Sequence, residues 1–185
     1  KVSSDSIKQF LRTGIEAGDV PVARKDGDVD TAMKSAAKVV EAEFYAPYLN
    51  HSTMEPQTAT ALAKDDSIEV WVGTQNGEAT ITAASEAAGV PLENVIVHKM
   101  HAGGGFGRRG PHQEYTRQAV KIAQSMPGTP VRLQWSREED MAQCKFHPIT
   151  QCQLTGSFDA DNNLTALHVR LSGQSILFSV RPAAL

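Results

Sequence analysis

A chain of 185 residues, 41% hydrophobic and 21% charged, has the size and composition of one folded domain, or one domain with an arm. A net charge of -3 and the lack of any run of like charges exclude an electrostatic footprint for nucleic acid or an anionic membrane. No apolar stretch approaches the roughly 18 residues that span a bilayer, and Lys1 to Phe10 lack the apolar core of a signal peptide.

Residues 1–29 are the least periodic, and Gly18 to Asp30, with Pro21, Gly27 and several aspartates, reads as a loop. Residues 1–30 are expected to connect from a preceding domain, and 31–185 to form the main domain. A helix follows, capped by Asp30 or Thr31, with Ala32, Met33, Ala36, Ala37 and Val40 at helical spacing. Glu41 to Leu49 reads as extended, because Ala42, Phe44 and Ala46 alternate with Glu41, Glu43 and Tyr45. Thr58 to Ala63 reads as a short strand, and the alternation of Ile68, Val70 and Val72 predicts another. Gly77 to Ala88 reads as a helix, with Asn76 to cap it and Gly89 then Pro91 to stop it.

Val95 to Met100 is then a strand. His112 to Met126 is a helix with Tyr115, Ala119, Ile122 and Ala123 on one face, and Val131 to Trp135 is a strand. The last third predicts a hairpin: Ile149 to Phe158, a turn at Asp159 to Asn163, and a return over Leu164 to Ser172. Cys152, Leu154 and Phe158 fall on one face of it. Helices between strands, followed by antiparallel pairing, imply an α+β or mixed α/β layer structure. Both ends of the chain, at Lys1 and Leu185, read as cut from something longer.

The sharpest local signal is Gly103-Gly-Gly-Phe106-Gly-Arg108-Arg109-Gly110, between a strand and a helix. Glycines without Cβ atoms let backbone N–H groups approach a ligand, and the following helix start offers more. Pro111 suits a first helical position, and Arg108 and Arg109 are donors suited to phosphate. Three readings compete: a tight structural turn, a dinucleotide loop, and a loop shaped around a flat or anionic cofactor. Gly105, Gly107 and Gly110 do match GxGxxG, but no acid stands at a strand end about 20 residues on. A P-loop fails because Pro111, not Lys-Ser/Thr, follows Gly110.

Other residues read more plainly. Cys144 and Cys152, eight apart and in no CxxC, read as free thiols. His98 and His101 read as ordinary surface or core histidines rather than a metal pair, Arg137 to Asp140 as a solvated or helix-capping cluster, and His51 to Pro56 as a structural turn under a site rather than an acid–base pair of His51 with Glu55. The Met and Trp residues read as core.

The loop keeps specific company. Upstream lie His51-Ser-Thr-Met54-Glu55-Pro56, Val70-Trp-Val-Gly-Thr74-Gln75-Asn76 and Gly89-Val-Pro91-Leu-Glu-Asn94-Val95. Downstream lies Pro130-Val-Arg-Leu-Gln-Trp-Ser-Arg137-Glu138-Glu139-Asp140-Met141. This series, over about residues 35 to 172, resembles the large subunit of the xanthine dehydrogenase and aldehyde oxidase family of molybdenum hydroxylases. Phe106-Gly107-Arg108-Arg109 resembles the isoquinoline 1-oxidoreductase large-subunit branch. Gly110 stands where the xanthine and aldehyde branch carries a glutamate, which argues against a purine substrate.

The resemblance implies a molybdopterin-binding domain, with the cofactor as the cytosine dinucleotide. It implies hydroxylation of an N-heteroaromatic or aldehyde substrate with water as the oxygen source. Gly103 would belong to the cofactor-binding loop, and Gly104, Gly105, Phe106 and Gly107 would line the metal site, with Phe106 close to it. Gln75 would donate a hydrogen bond to an oxygen on molybdenum, and Arg108 and Arg109 would lie near the pterin or its phosphates. A small 2Fe–2S subunit would take the electrons, and the family's catalytic glutamate is expected beyond Leu185. The resemblance implies a cytoplasmic or periplasmic setting, which the residues themselves do not reveal. The chain alone is expected to be inactive and to hold no molybdenum. The alternative is a stand-alone cofactor-binding or interaction domain without redox activity.

Overall fold

A computed structural model describes residues 1–180. In chain order it begins with α1 (Ser4–Glu16), α2 (Val29–Lys34), β1 (Lys38–Ala46) and the short β2 (Leu49–Asn50). Then come β3 (Thr58–Ala63), β4 (Ile68–Val72), α3 (Gly77–Ala88), β5 (Val95–Lys99), α4 (Glu114–Gln124), β6 (Val131–Gln134) and α5 (Arg137–Gln143). β7 (Phe146–His147), β8 (Thr150–Phe158), β9 (Leu164–Gly173) and α6 (Ile176–Val180) follow. The fold is mixed α/β, as the sequence implied. The chain divides into two compact units, one of Lys1–Leu49 with the residues from His147 onward, the other Asn50–Phe146.

The first unit is an antiparallel sheet in the order β1-β8-β9. The expected hairpin forms, its turn closed by Asp159 Oδ1, which accepts from the N–H groups of Asp161 and Asn163. The register Phe44↔Cys152↔Leu171 and Ala42↔Leu154↔Val169 puts these six apolar side chains on one face. Phe44, Val169 and Leu171 are exposed there. The other face carries Glu43, Gln151, Arg170 and Ser172 and receives α1. Arg12 pairs with Glu43, Arg170 donates to Ala17 O, and a Cβ on Gly14 would come within 2.5 Å of Ser172 Oγ.

Helix α1 lies in the stretch expected to be weakly periodic. Ser3 and Ser6 cap each other reciprocally, but N3 is serine rather than Glu or Gln, and only Leu11 and Ile15 are buried. Helix α2 starts earlier than expected, because Asp28, not Asp30 or Thr31, caps it through Thr31 N–H (3.1 Å). It also stops earlier. Ala37 N–H donates to Phe158 O and Val40 lies in β1, so sheet pairing wins over the helical spacing.

The second unit is a four-stranded sheet in the order β5-β4-β3-β6. β3 runs antiparallel to both neighbours, while β4 and β5 are parallel, with α3 as the crossover between them. One sheet face buries Ala59, Ala61, Ala63, Ile68, Val70 and Val72 against the helices. Helix α3 presents Ala84 and Ala87 there, and α4 presents Tyr115, Ala119, Val120 and Ala123. The many alanines let helix and sheet approach closely. Each fully buried Val or Ile contributes about 1.5–3 kcal/mol.

Helix α3 has both expected ends: Asn76 Oδ1 accepts from Ala79 N–H (3.1 Å), and Gly89 closes it at φ 76°. Helix α4 begins at Glu114, two residues later than expected, with Gln113 as its N-cap and Pro111 outside it. Ile122 is exposed, and Thr116 and Val120 take buried positions instead. Asp140 is buried in an ion pair with Arg137 at 2.9 Å, so the acidic cluster is not wholly solvated. Met54, Met100, Met126 and Met141 are exposed rather than core, while Trp135 is buried.

Candidate functional site

Parallel neighbours deliver their following loops to the same end of a sheet. β4 and β5 pair in register, Val72↔Lys99, so Gly73–Asn76 and Met100–Gln113 emerge side by side. This brings Gln75 to the glycine loop across 32 residues of sequence. The approach is tight, since a Cβ on Gly73 would lie 3.1 Å from Ala102 Cα.

The loop is irregular between β5 and α4, as expected. Gly104 (φ 101°) and Gly107 (φ 99°) occupy left-handed space, and Phe106 joins them at φ 54°. Two turns close it: Arg108 N–H donates to Gly105 O at 2.9 Å and Gly110 N–H to Gly107 O at 3.1 Å. A Cβ on Gly105 would sit 2.5 Å from Gln75 Cδ, and one on Gly103 2.5 Å from Glu55 Cβ. These two glycines are needed for close approach.

Gln75 is stitched into the loop. Its Oε1 accepts from Gly107 N–H and Arg109 N–H, both at 3.1 Å, and its own N–H donates to Arg109 O at 3.0 Å. Its Nε2 has no hydrogen-bond partner among the described residues. The N–H groups of Gly104, Gly105 and Phe106 likewise donate to nothing among the described residues. Three successive unpaired N–H groups on backbone that enters left-handed space form a concavity suited to anionic or lone-pair-rich atoms. Phe106 is 67% exposed above it.

Arg108 and Arg109 were expected near the pterin or its phosphates; both side chains are fully buried. Arg109 Nε donates to Gly104 O (2.9 Å), Nη1 to Gly73 O (3.4 Å) and Nη2 to Glu55 O (2.8 Å) and Glu55 Oε2 (3.0 Å). Its own carbonyl accepts from Thr74 Oγ1 (3.2 Å) and Gln113 Nε2 (3.1 Å). Arg108 lies between the Tyr115 and Trp135 rings, 6.0 and 5.7 Å from their centroids, and pairs with Glu114 at 3.1 Å. Each cation thus has a carboxylate partner, and the exposed side of the loop offers backbone N–H groups rather than guanidinium charge. Burial pushes the Tyr115 phenol up, and burial lowers the neighbouring His112 imidazole.

His51 lies beneath the loop: its Nδ1 is 2.9 Å from Lys145 O, and a Cβ on Gly107 would be 3.8 Å from its Nε2. His98 pairs with Glu69 at 2.8 Å and stacks on Trp71, which engages it in the sheet rather than with His101. Among the described residues no group of three His, Cys, Asp or Glu side chains could hold a metal ion. Cys144 and Cys152 are free thiols. No helix among the described residues is long and apolar enough to cross a membrane. The turn from His51 to Pro56 was expected under the site and supplies Glu55, whereas sequence reasoning missed Thr74 and Gln113 as supports of the loop. Of these two, Thr74, next to Gln75 in its motif, carried a usable signal.

Comparison with known proteins identifies the family. The family model described as the molybdopterin cofactor-binding domain matches residues 16–176. A membrane-bound aldehyde dehydrogenase (pyrroloquinoline-quinone) from Gluconacetobacter polyoxogenes is 32% identical over 152 residues, 82% of this chain and 19% of that protein. The isoquinoline 1-oxidoreductase subunit beta of Brevundimonas diminuta is 27% identical over 184 residues, 96% of this chain and 23% of that one. The chain therefore spans about a fifth of the length of these relatives. Among solved structures, the aldehyde oxidoreductase from Desulfovibrio gigas superposes with a TM-score of 0.60 at 19% identity, over 78% of this chain and 16% of that one, a likeness of fold.

Proposed function

The chain belongs to the molybdopterin cofactor-binding domain family, and from that premise we propose that Gln75 and Gly103 to Arg109 form one wall of the cofactor site of a molybdenum hydroxylase. The observation that carries this reading is the row of unpaired N–H groups on Gly104, Gly105 and Phe106 beside a Gln75 amide whose orientation is fixed. The residues fit the group: the surface offers neutral donors and a planar aromatic ring, and glycines keep side chains out of the cradle.

When bound, the molybdopterin group supplies two-electron redox chemistry that no side chain here can provide. The protein's part is to bind and orient. Gly104, Gly105 and Phe106 donate through the backbone, and Gln75 donates through Nε2 without bringing a charge. Phe106 covers one side of the site. Arg108 and Arg109 act from beneath by holding the loop. In this reading the cofactor is the cytosine dinucleotide form, oxygen comes from water, and a 2Fe–2S subunit carries electrons away. An N-heteroaromatic or aldehyde substrate is supported by the Phe106-Gly107-Arg108-Arg109 sequence and by the names of the two relatives.

The name of one relative favours a second reading, a quinone cofactor on the same scaffold. Analysis of the polypeptide in its full gene context separates the two. Molybdenum and pterin in near-equal amount to protein support the proposal. Pyrroloquinoline quinone without molybdenum overturns it.

A further inference from the structure

Glu55 stands before β3, 48 positions from Gly103, yet it ties the upstream end of the loop. Its backbone N–H donates to Gly103 O at 3.1 Å, and its Oε2 accepts from Gly103 N–H at 3.0 Å. The same carboxylate oxygen accepts from Arg109 Nη2 at 3.0 Å, and Glu55 O accepts from that Nη2 at 2.8 Å. Arg109 in turn donates from Nε to Gly104 O at 2.9 Å. The clasp thus reaches the residue whose N–H begins the unpaired row.

The turn that carries Glu55 is itself anchored. Thr53 Oγ1 donates to Glu55 O at 2.6 Å, and Arg137 Nη2 donates to Thr53 O at 2.5 Å and Met54 O at 3.0 Å. Asp140, buried, holds Arg137 at 2.9 Å. A continuous set of polar contacts therefore runs from α5 to the glycine loop.

Why the loop needs a clasp follows from its composition. Glycines lose the most conformational freedom on ordering, and the N–H groups of Gly104, Gly105 and Phe106 make no internal bond that fixes their direction. Gln75 holds the downstream end, at Gly107 and Arg109. Among the described residues Glu55, directly and through Arg109, holds the upstream end. Donors that are fixed before a ligand arrives bind it without a further ordering cost.

We infer that Glu55 is a positioning residue of the cofactor loop: its carboxylate, shared between Gly103 N–H and the buried Arg109 guanidinium, keeps the Gly104, Gly105 and Phe106 donors in a single arrangement. The importance of that arrangement rests on the function proposed above, but the clasp is measurable without any cofactor. The experiment compares amide resonances and hydrogen exchange of the isotope-labelled 185-residue chain with its Glu55→Ala and Glu55→Gln variants.

In Glu55→Ala, amides 103–109 shift, and the hydrogen-bonded ones among them, at Gly103, Gly107, Arg108 and Arg109, exchange roughly tenfold or more faster, while those of β3, β4 and α4 stay protected. Glu55→Gln keeps an oxygen for Gly103 N–H but cannot serve Arg109 as a carboxylate does. It restores Gly103 in part and leaves Arg109 altered. Wild-type shifts and exchange across 103–109 in Glu55→Ala overturn the inference. So does an equal loss of protection across the whole sheet in both variants, which marks a merely structural residue. Cofactor content of the full-length protein is scored separately: a loosened loop in a protein that never takes up molybdenum sinks the proposed function and leaves the clasp standing.

Discussion

Gln75 and Gly107 lie 32 positions apart and share one hydrogen bond, in which Gly107 N–H donates to Gln75 Oε1 at 3.1 Å. Arg109 N–H donates to the same oxygen at the same distance, so the amide oxygen is occupied twice and Nε2 is left as the outward donor. The two roles of this side chain, holding the loop and donating to a ligand, can be separated by substitution. Gln75→Glu keeps an acceptor for both N–H groups and loses the donor, whereas Gln75→Ala loses both roles.

Gln75→Ala is expected to lower stability by about 0.5–1.5 kcal/mol, because two backbone donors, one exposed and one part-buried, exchange their protein partner for water. For a chain of this size each kcal/mol corresponds to roughly 2–4 °C in Tm. Gln75→Glu should melt near wild type. In the full enzyme at equal molybdenum content, both should slow turnover on the order of 10- to 100-fold. Thermal melts and turnover together check this, and a fast Gln75→Glu enzyme would remove the donor role.

Two glycines of the loop should fail for different reasons. Gly105 has no positive φ, but a Cβ there meets Gln75 Cδ and Oε1 at 2.5 Å. Gly107 has φ 99° and only His51 Nε2 within 4 Å, at 3.8 Å. Gly105→Ala should therefore push Gln75 out of place and mimic Gln75→Ala in its loop amide shifts. Gly107→Ala should cost about 1–3 kcal/mol of backbone strain while leaving the Gln75 side chain where it is. A crystal structure or loop amide spectrum of each variant distinguishes them.

The sheet of the second unit was legible in the sequence because its signals are local. Ile68, Val70 and Val72 alternate, and α3 carries its own punctuation in Asn76 and Gly89. Helix α1 escaped notice because its capping box uses Ser6 at N3 and its buried stripe is only Leu11 and Ile15. The juxtaposition of Gln75 with the glycine loop came from family resemblance. Its physical cause, the parallel pairing of β4 with β5, is a tertiary fact. The burial of Arg108 and Arg109 was illegible. Charged residues sit inside only when paired, and the carboxylate for Arg109 comes from Glu55, 54 positions away.

Arg109 should tolerate no replacement, lysine included. Its planar fork reaches Gly104 O from Nε and Glu55 from Nη2 at once, with Gly73 O on Nη1. An ammonium is a single point of donors on a flexible stem and cannot span these acceptors. Removing one partner of a buried ion pair typically costs about 3–5 kcal/mol. Glu55 is partly exposed, its side chain at 34%, so water would rescue some of that, and roughly 2–4 kcal/mol is expected for Arg109→Lys. Urea unfolding of the two proteins measures it. A change below about 0.5 kcal/mol, the range of ordinary surface substitutions, would contradict the buried-hub reading.

Stability should fall on both sides of neutrality, from two residues that flank the same loop. His112 lies between Gly110 and α4. Burial first of all, then Lys145 and Arg108, lowers its imidazole below the ordinary 6.5, against an opposing effect of Glu114. The unfolded chain then takes up a proton before the folded one as pH falls. The contribution of neutral His112 is full above pH 6.5 and is lost as pH drops from there through the lowered folded value. Tyr115 acts at the other end. Burial raises its phenol above the ordinary 10.0, so the unfolded chain ionises first, and stability is lost as pH rises from 10.0 through the raised folded value. His112→Gln should flatten the acid limb just below pH 6.5 and leave the alkaline limb intact. Tyr115→Phe should do the reverse. Tm measured from about pH 5 to 11 for the three proteins tests both assignments, and an acid limb unchanged in His112→Gln would rule out its histidine.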